Sequence, residues 1–366
     1  MLEDRDIDKL IDALDSAGVQ GRLKGRPLAE QRQVFAQHAG RQLLVAMIES
    51  TSGRSFDDRV NDECAQLSQE QALIYATVAL ATRSRAWLAK DEVLLAAGGQ
   101  PVEQLAELDS LLRQHLIVER EAGKLWVRHR VIAERAVAYF RRERRIASAV
   151  EGLLFVMATK LTPAVSRHAR ESQLAVRLLN HKFMIEEVGD VPQIRPIYER
   201  LQDLLAGDYH FWLQRGSLEV EVGDLALAEN YLSQAKGLEP DDYRVQTEYA
   251  YMLLKRASRD TSSGEPGWKE RAEEAFCELK DAIVHRGRQD SYPYHVLGSQ
   301  GLSFVRRAPF TAVERSVLLS DLLGQVKQGL QFHPDNAELR QLRDDLEREY
   351  LLQAVDGDLE RGRERV

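Results

Sequence analysis

Apolar residues recur three and four positions apart along most of the chain, which is the spacing of helices with one buried face. The 366 residues include only 10 prolines, so long helices have few interruptions. The pattern predicts helices over residues 4–14, 27–49, 69–82, 91–97, 102–114, 130–161, 173–187 and 194–206. We therefore predict a mostly α protein.

One short region departs from this helical pattern. Residues 116–120 and 125–129 are rich in β-branched and aromatic side chains, and a turn containing Gly123 separates them. This predicts a small β-hairpin directly after three short helices, which is the layout of a winged helix. We assign residues 61–145 to this predicted domain.

From Tyr209 onward the pattern becomes periodic. Large and small residues occupy the packing positions of a tetratricopeptide repeat, a helix pair of about 34 residues. These residues are Tyr209, Trp212, Gly216, Ala228, Leu232, Ala235 and Pro240. A second unit begins at Tyr243 and a third near Ser291, and residues 335–352 are predicted as a capping helix. The predicted fold is thus a winged helix followed by an α-solenoid of tetratricopeptide-like repeats.

The second repeat unit carries a polar insertion over residues 258–267. Because it contains Gly264, Pro266 and Gly267, we predict that it forms a surface loop.

Composition narrows the classes of function. The chain is 44% hydrophobic and 30% charged, as in globular proteins, and its net charge of −8 argues against a protein that coats polyanions. Residues 128–145 nevertheless hold seven arginines. We interpret them as a solvated face or as a surface that pairs with an acidic neighbouring domain, because the predicted recognition helix, 102–114, carries three acidic residues and one arginine. Nucleic acid is therefore a disfavoured partner.

The sequence holds no recognisable catalytic or metal-binding motif. There is no Gly-x-x-x-x-Gly-Lys-Ser/Thr phosphate loop, and the two cysteines, Cys64 and Cys277, lie far apart. The start lacks a secretory signal, and the most apolar stretch, 152–159, is much shorter than the roughly 18 residues of a membrane span. We expect a cytoplasmic, non-membrane protein that is not an enzyme on its own.

The order of these parts resembles the C-terminal half of STAND-class, NB-ARC-like signalling ATPases of the bacterial antiviral defence type. Two stretches carry the resemblance: 39–47, which looks like the family's helix with a Gly-x-Pro motif, and 126–134, which looks like its Met-His-Asp motif. The resemblance implies that His129 touches the β-phosphate of ADP and that Gln42 lies at the adenine. Gln42 stands where the family has proline, and Arg128 and Arg130 replace the methionine and aspartate.

The resemblance also implies an organisation and a set of partners. Residues 1–60 are a partial helical lid, 146–208 a helical linker, 209–353 the repeats with their capping helix, and 354–366 a charged, disordered tail. ADP or ATP with magnesium would bind the intact parent protein, whose P-loop core and effector domain we expect outside this chain. No cofactor is expected for the chain alone. A protein ligand, such as a viral protein, and homo-oligomerisation on activation complete the expected partners.

In repeat proteins of this kind the first helix of each unit faces the ligand on the concave side. The corresponding positions here are His210, Glu221, Arg244, Thr247, Tyr251, Lys255, Tyr292, His295 and Ser299. Two alternatives stay open at this point: a winged-helix transcription regulator with a repeat arm that binds a ligand, and a repeat scaffold without a switch.

Overall fold

The computed structural model describes residues 4–18, 23–35, 55–121, 123–162 and 165–363, with side chains for all of these except residues 4 and 354–363. Backbone contacts divide the chain into two compact units. The first comprises Met1–Leu178 with Glu187–Gly189, and the second comprises Leu179–Glu186 with Asp190–Val366. Helices form most of the described chain, which confirms the mostly α class.

The first unit contains a series of helices and one hairpin. In chain order they are α1 (Asp4–Ser16), α2 (Leu28–Gln33), α3 (Phe56–Ala65), α4 (Gln69–Arg83), α5 (Lys90–Ala97), α6 (Pro101–Arg113), β1 (Ile117–Arg120), β2 (Lys124–Val127), α7 (Arg130–Arg142), α8 (Ala147–Lys160) and α9 (Arg170–Leu179, the last residue of which belongs to the second unit). Helix α4 is the centre of this unit, because every residue from Ile74 to Thr82 is buried. It begins with a capping box, in which Ser68 and Gln71 each bond the other's backbone N–H.

The predicted hairpin is confirmed. Strands β1 and β2 pair antiparallel, with Ile117 opposite Val127 and Arg120 opposite Lys124. Gly123 adopts a φ of 89° in the turn, a conformation that glycine reaches without strain. Leu88, which lies between α4 and α5, adds an isolated antiparallel bridge to Leu125 on the other edge of β2. Leu88, which precedes the hairpin in the chain, therefore also pairs with the small sheet.

The predicted helix over residues 130–161 is two helices. Helix α7 ends at Arg142 and α8 begins at Ala147, and between them Arg144 takes a left-handed φ of 55°. The amide of Arg145 then bonds the carbonyl of Phe140 at 2.8 Å, which closes the end of α7. The sequence carries no glycine or proline at this point to indicate the break.

A buried ion cluster joins α5, α8 and α9. Glu92 is 1% exposed, and Arg170 donates to its two carboxylate oxygens at 2.9 and 2.5 Å. Lys160 also donates to Glu92, and the Arg170 guanidinium lies over the Trp87 ring, 3.9 Å from its centroid. Burial acts to raise the pKa of Glu92, but the hydrogen bonds from Arg170, Lys160 and the backbone outweigh it and lower that pKa.

The second unit is built largely of helix pairs. Its elements are α10 (His181–Glu187, the last residue of which belongs to the first unit), α11 (Val191–Leu205), α12 (Tyr209–Val222), α13 (Leu225–Leu238), α14 (Tyr243–Ser263), α15 (Trp268–Arg286), α16 (Tyr292–Arg307), α17 (Ala312–Phe332) and α18 (Ala337–Arg363). We call α12, α14 and α16 the first helices, and α13, α15 and α17 the second helices. Each first helix packs against the second helix that follows it, and against the next first helix.

Glycines stand where these helices approach most closely. A Cβ added to Gly216 would lie 2.6 Å from Cγ of Leu232, on the paired helix α13. One added to Gly298 would lie 2.5 Å from Cδ2 of Leu342 on α18. Both contacts agree with the small-residue positions that the periodicity predicts.

The insertion at 258–267 is mainly helical, and the prediction of a surface loop there is wrong. Helix α14 continues to Ser263, and the connection to α15 spans only residues 264–267. Asp260 is buried and pairs with Arg271 of α15 at 2.5 Å. The serine and threonine hydroxyls at 261–263 bond to carbonyls three or four residues earlier, so these polar residues are satisfied inside the helix.

The residues predicted as a linker contribute helices to both units. Within 146–208, α8 belongs to the first unit and α11 to the second. The helical backbone of α18 runs to Arg363, through most of the segment predicted to be disordered. In the part of the chain that the structure describes, no helix has both the length and the apolar character needed to cross a membrane.

Candidate functional site

A hydrogen-bonded junction joins the first helices α12 and α14. Asp242 caps α14 by accepting from the backbone amides of Arg244 and Val245 at 2.9 and 3.4 Å. Tyr209 donates its hydroxyl to Asp242 at 3.2 Å, and Arg244 donates to that hydroxyl at 2.5 Å and to Asp242 at 2.6 Å. Burial acts to raise the pKa of Asp242, but the bonds with Arg244 lower it. Arg244, a predicted groove residue, is therefore part of a fixed junction.

Equivalent contacts recur along the array. Tyr243 donates its hydroxyl to Asp290 at 2.8 Å, and Asp290 accepts the backbone amide of Tyr292 at 2.9 Å. At the next junction Asn336, which caps α18, donates to the hydroxyl of Ser291 at 2.9 Å. We call these three contacts the ladder: Tyr209–Asp242, Tyr243–Asp290 and Ser291–Asn336. Each contact joins the predicted first residue of one repeat unit to a residue that caps or precedes the next first helix or, for Asn336, helix α18.

Glu248 of α14 links all three first helices. Its Oε1 accepts the hydroxyl of Tyr292 on α16 at 2.5 Å, and its Oε2 accepts the hydroxyl of Ser217 on α12 at 3.1 Å. Burial, followed by the charge of Glu248, raises the pKa of Tyr292. Tyr292 is a predicted groove residue, whereas Glu248 and Ser217 are not among the predicted set.

Tyr251, Lys255 and Glu221 lie close to Glu248. Burial raises the pKa of Tyr251 to about 12, and the carboxylates of Glu221 and Glu248 add to the effect. Lys255 lies 4.9 Å from the centroid of the Tyr251 ring and donates to the carbonyl of Val220 at 2.9 Å. Glu221 is exposed and Tyr251 half-buried, so this part of the face offers a carboxylate and an aromatic ring to a partner.

The other predicted groove residues occupy varied environments. Thr247 is fully buried, and its hydroxyl donates to the carbonyl of Tyr243 at 2.6 Å, so the structure gives it a packing position. His210 is half-buried beside Tyr209. His295 is also half-buried, with Nδ1 3.8 Å from a carboxylate oxygen of Glu338, and Ser299 is half-buried on α16.

We call the group formed by Ser217, Glu221, Glu248, Tyr251, Lys255 and Tyr292 the first-helix face. Sequence reasoning identified four of these six residues from their repeat positions. It missed Glu248 and Ser217, because their role depends on which helices lie next to one another. The repeated Asp–Tyr pair at the start of α12 and α14 is the sequence signal that could have revealed the ladder.

His129 caps helix α7 at the end of the hairpin. It is exposed, and its Nδ1 accepts the backbone amide of Val131 at 3.2 Å. In the neutral ring the proton is therefore on Nε2. A donor of this kind at the N-terminus of a 13-residue helix suits a negatively charged group such as a phosphate.

Gln42, the predicted adenine contact, lies outside the described residues, as does the rest of the stretch 39–47.

The arginines between 128 and 145 are largely paired. Five of the seven form ion pairs with acidic side chains: Arg128 with Glu63, Arg130 with Glu134, Arg135 with Asp57, Arg141 with Glu187 and Arg142 with Glu143. Two of these acidic partners, Asp57 and Glu63, belong to α3. The basic stretch is thus neutralised mainly by the unit that contains it.

Helix α6, the predicted recognition helix, presents apolar and acidic side chains to solvent. Val102 is 81% exposed and Leu105 42% exposed, and Glu103 beside them is also exposed. A helix that enters a DNA groove usually exposes basic or amide side chains.

A scan of the chain against models of protein families found no match, and searches of curated proteins and of solved structures found none either.

Proposed function

We propose that this chain is the sensor and regulatory module of a STAND-type antiviral defence ATPase. In this proposal a tetratricopeptide-like array binds a protein ligand, and a winged helix couples that binding to a nucleotide switch and to oligomerisation. The protein would act in the cytoplasm.

Two features of the fold support these assignments. The order of helix α4, the bridging residue Leu88, two further helices and the β1–β2 hairpin is the order of elements in a winged helix. In the second unit the ladder repeats at the first residue of each predicted repeat, which supports the assignment of α12–α17 as tetratricopeptide-like units.

One observation carries the proposed binding function: hydrogen bonds hold the three first helices together in the first-helix face. Glu248 accepts hydrogen bonds from both neighbouring first helices, so the three helices present one continuous face. A face fixed before binding loses little conformational entropy when a ligand arrives. Glu221 and Tyr251 offer a carboxylate and a ring on this face, which suits a partner segment with lysine or arginine beside an apolar residue.

His129 supplies the proposed link to the switch. When bound, ADP supplies a diphosphate whose negative charge an Nε2–H donor stabilises. The protein ligand acts by binding one conformation of the parent protein more tightly than the other. To shift nearly all molecules to that conformation, the ligand must bind it about 10⁴-fold more tightly.

The partner-binding function is tested by co-expressing the tagged chain with individual phage structural proteins and measuring each captured complex. For a protein that the chain captures, the variant Glu221→Lys/Tyr251→Ala loses capture by at least about tenfold, because it removes the exposed carboxylate and the half-buried ring that the first-helix face offers to a partner. The matched control is Glu199→Lys, an exposed charge reversal on α11. Equal capture by wild type and by the double variant would remove the first-helix face from the proposal.

The switch is tested after the chain is joined to a P-loop core. We expect His129→Ala to release ADP faster and to raise basal activity, whereas Arg130→Ala, beside it, leaves ADP retention nearly unchanged. If His129→Ala does not change ADP retention, the result would favour the alternative of a repeat scaffold without a switch.

A further inference from the structure

An apolar groove lies between the second helices α15 and α17, and none of the predicted groove residues lines it. Its volume is ≈ 620 Å³, within the range of protein cavities that bind ligands. The lining residues are Trp268, Lys269, Ala272, Glu273, Phe276, Phe304, Phe310, Val313, Glu314, Val317, Leu318 and Asp321. We call this the α15–α17 groove.

Aromatic rings form one wall of the groove. The ring centroid of Trp268 lies 5.9 Å from that of Phe304 and 5.6 Å from that of Phe310, and all three rings meet edge to face. Phe276, two turns after Trp268 on α15, extends the cluster and lies 6.3 Å from Phe304. Because these rings pack against one another, the wall is preformed.

Two valines on α17 extend the apolar surface out of the groove. Val313 is 74% exposed and Val317 is 65% exposed, and they lie one helical turn apart on the same side of α17. A row of apolar side chains at this spacing beside a groove matches the surfaces that bind an amphipathic helix.

The charges around the groove favour a basic partner. Three carboxylates and one ammonium group are among its lining side chains. Glu314 is held ionised, because hydrogen bonds from Thr311 and Lys269 lower its pKa to about 2. Asp321 pairs with Lys280 at 2.8 Å, whereas Glu273 is exposed and forms no ion pair within the described residues. Glu273 is thus available to a cation on a ligand.

We propose that the α15–α17 groove binds an amphipathic helix of a partner protein. The helix inserts bulky aliphatic side chains between Trp268 and Val317, and places lysine or arginine beside Glu273. The exposed row Val313–Val317 favours a helix over a small molecule, because a helix lying along α17 covers more of both exposed valine side chains than a small molecule confined to the groove. A second copy docked through the same groove is disfavoured, because it would bring the same carboxylates against each other.

The test uses a labelled 14-residue helical peptide with leucines on one face and lysines on the other, and a matched peptide with glutamates in place of the lysines. Fluorescence anisotropy with the whole chain should give a dissociation constant of about 100 μM or tighter for the lysine peptide. The glutamate peptide should bind at least about tenfold more weakly. Failure of the lysine peptide to bind, or equal binding of both peptides, would overturn the proposal.

Single substitutions test whether the lysine peptide binds in the α15–α17 groove. Val317→Asp should weaken the lysine peptide at least about tenfold, and Glu273→Lys should weaken the lysine peptide while strengthening the glutamate peptide. Val284→Asp is the matched control, since Val284 is 81% exposed on α15 and does not line the groove. Glu221→Lys, on the first-helix face, should also leave binding unchanged. A loss with either control that equals the loss with Val317→Asp would show that the effect is not specific to the groove, and the groove would then be rejected.

Discussion

Gly152 occupies the closest contact between α8 and α5. A Cβ at this position would overlap the carbonyl oxygen of Ala96 and lie 2.8 Å from its carbonyl carbon. These are backbone atoms of another helix, so no side-chain rotation can relieve the overlap.

We therefore expect Gly152→Ala to destabilise the protein by about 1–3 kcal/mol, the usual cost of overpacking. Gly324→Ala is the control, because Gly324 lies inside α17 with open space around it. There alanine should stabilise the helix by about 0.5–1 kcal/mol. Urea denaturation followed by circular dichroism measures both changes, and a neutral Gly152→Ala would contradict the contact with Ala96.

The buried ion cluster around Glu92 makes the stability of the fold depend on pH, and its contribution falls as the pH falls. The folded pKa of Glu92 lies below its ordinary value of 4.5, so its ionisation stabilises the fold above that pH. This contribution is lost as the pH falls through the lowered folded pKa.

Glu92→Gln should therefore cost about 1.5–3 kcal/mol at pH 7, where it removes charge-assisted hydrogen bonds to Arg170 and Lys160. The difference from wild type should shrink below pH 4.5. Glu119→Gln is the comparison, since Glu119 forms an exposed pair with Lys90 and such pairs contribute little. A difference between wild type and Glu92→Gln that stays constant from pH 7 to about pH 3 would refute the linkage.

At the scale of elements, one hydroxyl fixes the hairpin to the central helix. The amide of Val127 points away from β1 and donates to Oγ1 of Thr82 on α4 at 3.0 Å, in a buried position. Thr77 on the same helix is equally buried, but its hydroxyl donates to the carbonyl of Leu73 within α4.

The two threonines give a matched pair of variants. Thr82→Val should destabilise the protein by about 1–3 kcal/mol, because it leaves the buried amide of Val127 without an acceptor. Thr77→Val should lower the stability by less, because the Leu73 carbonyl still accepts a backbone hydrogen bond within α4. Thermal or urea unfolding distinguishes the two, and hydrogen exchange at Val127 should rise only in Thr82→Val. Equal losses of stability in the two variants would argue against this role of Thr82.

Most helices and the hairpin are predictable from the sequence, because apolar periodicity and Gly123 act locally. The break at Arg144 was missed, since a left-handed arginine has no signal in composition. The helical extension over 258–263 was missed for a different reason. Its buried Asp260 is stabilised by Arg271, a partner on the following helix that a local pattern of serines and glycines does not reveal.

The candidate site likewise contains residues that the sequence predicts and residues that it does not. Repeat positions identified Tyr251 and Tyr292, because the small and large residues fix the register of the helices. The bridging role of Glu248 depends on the side-by-side order of three helices, so periodicity alone does not reveal it.

For the molecule as a whole, the net charge of −8 conceals a basic stretch that is largely neutralised in place. Five of its arginines already pair with carboxylates, and α6 exposes Val102 and Glu103. Binding DNA would require these ion pairs to break.

We therefore expect no binding of a duplex DNA to the chain by fluorescence anisotropy, even at about 50 mM salt, where phosphate contacts are strong. Asp57→Asn/Glu63→Gln, which frees Arg135 and Arg128, should introduce weak binding that falls steeply with salt. Tight, salt-sensitive binding by the unmodified chain would instead favour the transcription regulator.

The ladder has a mechanical consequence. Each of its contacts connects one predicted repeat unit only to the next, so a pull at one end loads the contacts one after another. A load applied at the carboxyl end reaches the Ser291–Asn336 contact first, and the Tyr243–Asp290 contact bears it only after that one gives way. The array should therefore unravel in unit-sized steps under an unfolding motor, while the pairs nearer the amino end keep their shape.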